Sequence, residues 1–423
     1  MGKITSTINL FLIVESLGAL GCSGVVSTDG SSAGLGVCSR AASSSSASGG
    51  VDSSGSNVLS VTVGSGALCG TQSNFLCTSV TVCPVGSSSG CQTLPDILVD
   101  TGSYGLRIFV QALNPLLCAT LSTLSAAPGN SVAECATFGS LTTWGSVMVA
   151  NVQLAGEPPV KASIQVMDKA FATVPASCGQ VATSPRASGF NGILGVGLKQ
   201  GDCGSSCESS ATNNMYYTCT SAGVCTSTSI SVASQVTNPV GLLPVDNNGV
   251  LLDLPSVGAA GTTSVSGSLY LGIGTRTNNT KASETVYAAN SKGYFQTAVF
   301  SQTYVNSFID SGTNTFNFST NSGLALCTGA FSSFYCPVGA PLSFTATTTG
   351  LPSGNSGTVS FSVGNVLGGA STNKVFNNLA STLSSGFDDN NLIWGLPFFL
   401  GRRVFVGIEG KTSPFGLGPY WAY

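Results

Sequence analysis

The chain has 423 residues, enough for two domains or one large two-lobed body, and only 7% of them are charged. A net charge of −3 with no basic stripe argues against a nucleic-acid partner. There is no histidine, which excludes Ser-His and Cys-His catalysis and any His-ligated metal, and leaves acid–base chemistry to 17 Asp and Glu residues. Abundant Gly, Ser and Thr beside an ordinary hydrophobic share fit an all-β protein built of many short strands. The 15 cysteines point to an oxidising compartment.

Residues 1–22 read as a secretion signal. Lys3 precedes INLFLIVESLGALGC, whose ALGC ending is similar to a bacterial lipoprotein cleavage box with Cys22 as the lipidated residue. Glu15 interrupts the apolar core and Ala19 stands where such boxes usually carry Leu, so Cys22 as an ordinary structural cysteine stays open as the alternative. A lipidated Cys22 leaves an even number of cysteines, all of which can then pair. The chain is expected to be exported, either as a periplasmic, outer-membrane or cell-surface lipoprotein or as a secreted protein. No other stretch is apolar over a length that spans a bilayer. Residues 23–57, with SRAASSSSASGGVDSSGSN, hold too few large apolar groups to fold and read as a flexible tether.

Ordered structure is expected from VLSVTV at 58–63. TSVTVC at 78–83 alternates at strand period, PVGSSSG turns, and Cys91 opens the strand ILVD that ends on Asp100. Cys83–Cys91 is the natural bridge across that hairpin; Cys118–Cys135 and Cys327–Cys336 are further candidate pairs. Cys203, Cys207, Cys219 and Cys225 crowd one segment, but their irregular spacing favours disulfides over zinc, and no metal or cofactor is expected. GVLLDLP (249–255) and GSLYLGIG (267–274) read as adjacent strands, and PFFLGRRVFVGIEG as paired strands near the end.

The informative feature is a repeat. Asp100 lies in ILVDTGS, and NGILGVG with Gly195 follows; Asp310 lies in FIDSGT, and NLIWGLP with Gly395 follows at nearly the same distance. One Asp before Gly is ordinary turn chemistry. Two copies with matched second elements point to a duplicated fold that brings two acids together. Paired carboxylates cannot both ionise cheaply, so they share a proton, one serving as base and the other as hydrogen-bond donor.

This constellation resembles the pepsin-like aspartic peptidases. From about Asn57 to Tyr423 the chain is similar to a family of exported bacterial proteins, a domain of unknown function, within that superfamily. NVLSVTV, ILVDTGSYGLRIF, TTWGSV, NGILGVGL with GDCGSSC, SGSLYLGIGT, FIDSGTN, GLPFFLGRRVFVGIEG and the terminal GPYWAY carry the closer match. The resemblance implies an all-β bilobal fold, two lobes related by a pseudo-twofold with a cleft between them, here 58–245 and 246–423. It implies an aspartic endopeptidase, acting as a monomer on a polypeptide with Asp100 and Asp310 as the catalytic dyad. Gly102 and Gly312 would admit close backbone approach. Thr101 and Ser311 would lock the two acid loops together, and Ser103 and Thr313 would hydrogen-bond the outer oxygens of the acids. ATFGSLTTWGSV (136–147) falls where the superfamily has its flap hairpin, with Phe138, Gly139 and Ser140 in it. The flap tyrosine is Phe138 here, or is replaced functionally by Trp144, and Arg107 takes the place of a supporting tryptophan. Arg107 is expected to stack beneath Phe138 or Trp144; alternatively those two aromatics pack in the first lobe. The altered flap leaves a second reading open, an inactive protein of the same fold binding a polypeptide or glycan in its cleft.

Overall fold

The structure, a computed structural model, describes residues 38, 57–87, 89–125, 127–352, 354–368, 372–384 and 386–423. The signal segment, lipidation at Cys22 and nearly all of the expected tether lie outside these residues. The protein is all-β. Its longest helix among the described residues, Pro115–Thr120, has 6 residues, and no described helix is long and apolar enough to cross a membrane.

Alternating segments form strands with one face inward, such as Val58–Val63 and Leu76–Cys83. Unbroken apolar runs form strands buried on both faces: Gly192–Val196 and Asn391–Trp394 have every residue buried. In the N-terminal half, Leu141–Gln153, Val160–Met167, Tyr104–Phe109, Gly192–Val196, Gln92–Asp100 and Leu76–Cys83 pair in that order. The last of these pairs back on the first, closing a barrel. In the C-terminal half a 7-stranded sheet runs from the edge hairpin Leu342–Thr349/Ser356–Val363 through Phe295–Val299, Gln302–Ile309 and Asn391–Trp394 to Phe316–Phe318 and Ala380–Thr382. A continuous antiparallel run joins the halves. Val58–Val63 pairs with Val265–Leu271, which pairs with Gly249–Asp253, then Arg403–Gly407, then Tyr420–Ala422. The two segments read as adjacent strands are adjacent. Of PFFLGRRVFVGIEG only Arg403–Gly407 is strand, because Leu396–Phe398 coils into a 3-10 turn.

One three-strand arrangement occurs twice. Gln92–Asp100 lies parallel to Gly192–Val196, with Asp100 opposite Gly195, and Tyr104–Phe109 returns antiparallel on the other side. Gln302–Ile309 lies parallel to Asn391–Trp394, and Phe316–Phe318 returns antiparallel. The repeat in the sequence is therefore a repeat of strand pairing. Gly195 and Gly395 have a common reason: a side chain on Gly195 would meet Tyr104 N at 2.5 Å, and one on Gly395 would collide with Thr315 O. Trp394 anchors the C-terminal core edge-on to Phe316 and Phe361, at 5.6 and 5.2 Å between ring centroids.

Seven disulfides staple the body, the pattern of a chain that folds in an oxidising, exported compartment. Cys83–Cys91 and Cys327–Cys336 form as expected. Cys118–Cys135 does not. Cys118, buried on the Pro115–Thr120 helix, bonds Cys38, while Cys135, on the strand Ser131–Phe138, bonds Cys178 in a neighbouring turn. Sequence proximity loses to sheet register here. Two residues of the segment read as a tether belong to the folded body: Cys38 through that bond, and Asn57, which is buried and donates to Leu271 O at 2.9 Å. Cys203 pairs with Cys207 and Cys219 with Cys225, so none of the four is a free thiolate for zinc.

Candidate active site

Each acid sits at the end of a strand, where the chain must turn at once to form the returning strand. Asp100 follows Ile97, Leu98 and Val99, all buried; Asp310 follows buried Ile309. The turn lets each carboxylate cap its own loop. Gly102 N donates to Asp100 Oδ1 at 2.8 Å and Ser103 Oγ to Oδ2 at 2.5 Å. The second loop repeats this: Gly312 N donates to Asp310 Oδ1 at 2.8 Å and Thr313 Oγ1 to Oδ2 at 2.6 Å.

The loops are locked face to face by a reciprocal pair of hydroxyls. Thr101 Oγ1 donates to Ile309 O at 3.0 Å and accepts from Ser311 N at 3.0 Å. Ser311 Oγ donates to Val99 O at 2.7 Å and accepts from Thr101 N at 3.1 Å. Both side chains are buried, so every backbone group they satisfy would otherwise be stranded. The approach is close enough to require glycine on both sides. A methyl group on Gly102 would lie 2.6 Å from Asp310 Cγ, and one on Gly312 would lie 2.8 Å from Asp100 Cγ.

The close approach of the two loops brings the Asp100 and Asp310 carboxyls together, each next to the other loop's glycine. Burial pushes the Asp100 carboxyl well above the usual carboxylate range; the charge of Asp310 pushes it further, against the lowering effect of Ser103 and Gly102. Two carboxyls held this close cannot both ionise cheaply.

Both acids line a cleft of about 580 Å³ whose walls come from both halves of the chain. Phe75, Leu98, Phe190 and Ile193 face it from the N-terminal half, and Phe308, Phe387 and Ile393 from the C-terminal half. The hairpin Ser131–Phe138/Leu141–Gln153 reaches across it. Gly139 occupies the first central position of its two-residue turn at φ +56°, a place a type II′ turn gives to glycine. A side chain there would come 3.2 Å from Ser384 Oγ on the opposite half.

Phe138, Gly139 and Ser140 line the cleft, and Trp144 does not. The strand register turns Trp144 into the core, where it meets Tyr217 edge-on at 5.6 Å. Arg107 stacks on Phe138, its guanidinium 4.8 Å from the ring centroid. Among the described residues Arg107 stacks on no other ring, so of the two expected partners Phe138 is the one found. The sequence reading missed what else holds Arg107. Its guanidinium is buried between Glu134 Oε1 at 2.6 Å and Asp202 Oδ2 at 2.7 Å, and Nη1 donates to Tyr104 O at 2.8 Å. Tyr216 O–H donates to the other Asp202 oxygen at 2.6 Å. Burial opposes the Arg107 charge, and Glu134 and Asp202 outweigh it. Asp202 is itself pushed well up, by burial first and then by the charge and hydrogen bond of Glu134. The signal was present in SVAECATF and GDCGSSC, each with one acid among small residues.

Fold and site together define an all-β, disulfide-stapled protein with two neighbouring aspartates lining one cleft. Residues 53–423 match the model of a family described as protein of unknown function (DUF3443), and the chain belongs to that family. No curated protein matches it significantly.

Proposed function

We propose that the protein is an exported aspartic endopeptidase of the pepsin-like, bilobal type. The observation that carries this reading is the mirrored frame around the acids: two strand-end aspartates, each capped by its own glycine N–H and hydroxyl, brought face to face by the reciprocal Thr101–Ser311 lock at a cleft. In this mechanism the ionised member of the pair takes a proton from a water as its oxygen attacks the peptide carbonyl. The protonated member donates to the carbonyl oxygen. The resulting tetrahedral diol then collapses, the C–N bond breaks, and the amine leaves with a proton returned by the pair. The hairpin above the acids orients the peptide and limits water. Export follows from the signal segment, with Cys22 as the lipid anchor.

A second reading, a cleft that binds a polypeptide or glycan without cutting it, is favoured by the lack of a hydroxylated aromatic among the hairpin residues facing the cleft. One experiment separates the two. Purified protein is incubated with a diverse synthetic peptide mixture from about pH 3 to 7, with and without a statine-type inhibitor, beside the Asp100→Asn variant. Cleavage that the inhibitor and the variant both abolish supports the peptidase. Saturable peptide retention without cleavage at any pH supports the binder.

A further inference from the structure

Asn74 is buried and lies at φ +58°, between the Cys69–Thr71 turn and the strand Leu76–Cys83. Asparagine tolerates this left-handed conformation better than most residues with a side chain. Its carboxamide spans the two halves of the chain. Nδ2 donates to Asn314 O at 2.9 Å and to Phe376 O at 2.9 Å, and Oδ1 accepts from Phe376 N at 2.8 Å. Its own backbone N–H donates to Lys374 O at 2.8 Å. Asn314 returns a bond, Nδ2 to Ser73 O at 3.4 Å. Both side-chain donors are thus committed across the chain, and no ordinary turn needs such a set.

The location matters more than the number of bonds. Asn314 follows Asp310-Ser311-Gly312-Thr313 directly, so its carbonyl belongs to the far limb of the second acid loop. On the other side, Gln72, Ser73 and Phe75, the neighbours of Asn74, line the cleft. The Thr101–Ser311 pair and the antiparallel run through Val58–Val63 and Val265–Leu271 also join the halves. The Asn74 tie adds a separate constraint beside the second acid loop, on the angle at which the two halves meet there.

We propose that Asn74 is a positioning residue for the aspartate pair: by holding Asn314 and Phe376 it sets the angle between the halves, and with it the distance at which Asp100 and Asp310 face each other. This rests on the peptidase reading for its catalytic consequence but not for the tie itself.

The test uses the full exported chain carrying Asn74→Gly, which keeps the backbone conformation and removes the tie, and Asn74→Asp, which keeps the shape and the Oδ acceptor but loses both donors. Folding is verified by circular dichroism and by the absence of free thiols. Misplacing reacting groups by about 1 Å can cost about a hundred-fold in rate. We therefore expect Asn74→Gly to lower kcat on the peptide mixture by about ten- to a hundred-fold, with a smaller change in KM, and to move the limbs of the pH–rate profile. Asn74→Asp should fall between it and the wild type. Hydrogen exchange gives a readout that needs no catalysis: the amides of residues 310–314 and Phe376 should exchange faster in Asn74→Gly. Unchanged kcat and pH profile in a folded Asn74→Gly variant overturn the proposal, as does unchanged exchange at those amides. If the wild type cleaves nothing, the peptidase reading fails while exchange still decides the tie. If neither variant folds, a Phe376 amide that exchanges as fast as an exposed loop in the wild type overturns it.

Discussion

Ser311 accepts one hydrogen bond and donates another with no access to solvent. Ser311→Ala leaves Thr101 N–H and Val99 C=O without their partner, at about 1–3 kcal/mol for a buried orphaned group. Chemical denaturation should show a loss of that size, and a midpoint unchanged from wild type would mean the lock is dispensable. Gly102→Ala should act differently. Its methyl would press on Asp310, so the effect should fall on turnover before stability. Asp100→Asn and Asp310→Asn each leave a single acid in the pair and should lower turnover by about 10²–10⁴-fold while leaving the fold intact. Equal activity in either variant, measured on the peptide mixture, would place the chemistry elsewhere. These residues were legible in the sequence because each motif is local: strand, acid, glycine and hydroxyl occur within a few positions.

The hairpin over the cleft shows where legibility stopped. Its position was read from the resemblance to the pepsin-like peptidases, which also led to Arg107 beneath Phe138 or Trp144. Glu134 and Asp202 were not, because their meeting with Arg107 depends on how the barrel closes, which no local pattern encodes. The inward turn of Trp144 and the partners of Cys118 and Cys135 escaped for the same reason. Together these contacts make Arg107 the keystone of the hairpin arm. Arg107→Ala strands Glu134 and Asp202 in the interior, and breaking a buried pair in this way costs about 3–5 kcal/mol. Phe138→Ala removes only the stacking, worth about 0.5–2 kcal/mol, and should weaken peptide binding and turnover together. In a double-mutant cycle for peptide turnover, Arg107 and Phe138 should be coupled, the combined loss falling short of the sum. Strict additivity would mean that the stacking seen at 4.8 Å does not contribute to function.

At the scale of the whole molecule, the lack of histidine removes the usual titration near neutral pH, so buried carboxyls shape how stability depends on pH. Asp100 and Asp202 are both raised well above 3.8 by burial, reinforced by Asp310 in one case and Glu134 in the other. Each binds its proton more tightly folded than unfolded. Below about pH 4 both states are protonated and the contribution is fully present. As pH rises from there through the raised folded values, the unfolded chain gives up its protons first, and the contribution is lost. Stability from these two groups therefore favours acid, the opposite of the usual ion-paired carboxylate. Asp202→Asn isolates one share of this effect. The amide is neutral like the protonated acid, but its NH2 cannot accept, so of the two bonds to Asp202 it keeps only one, from Tyr216 or from Arg107. The variant should therefore start at or below the wild type near about pH 4 and lose less as pH rises, since only the wild type then places a further negative charge in the interior. Denaturation midpoints of the two proteins, taken at intervals from about pH 4 to 8, should diverge steadily with pH. Curves that stay parallel across the range would show that Asp202 keeps one protonation state throughout, and that the buried box beneath the hairpin does not sense acid.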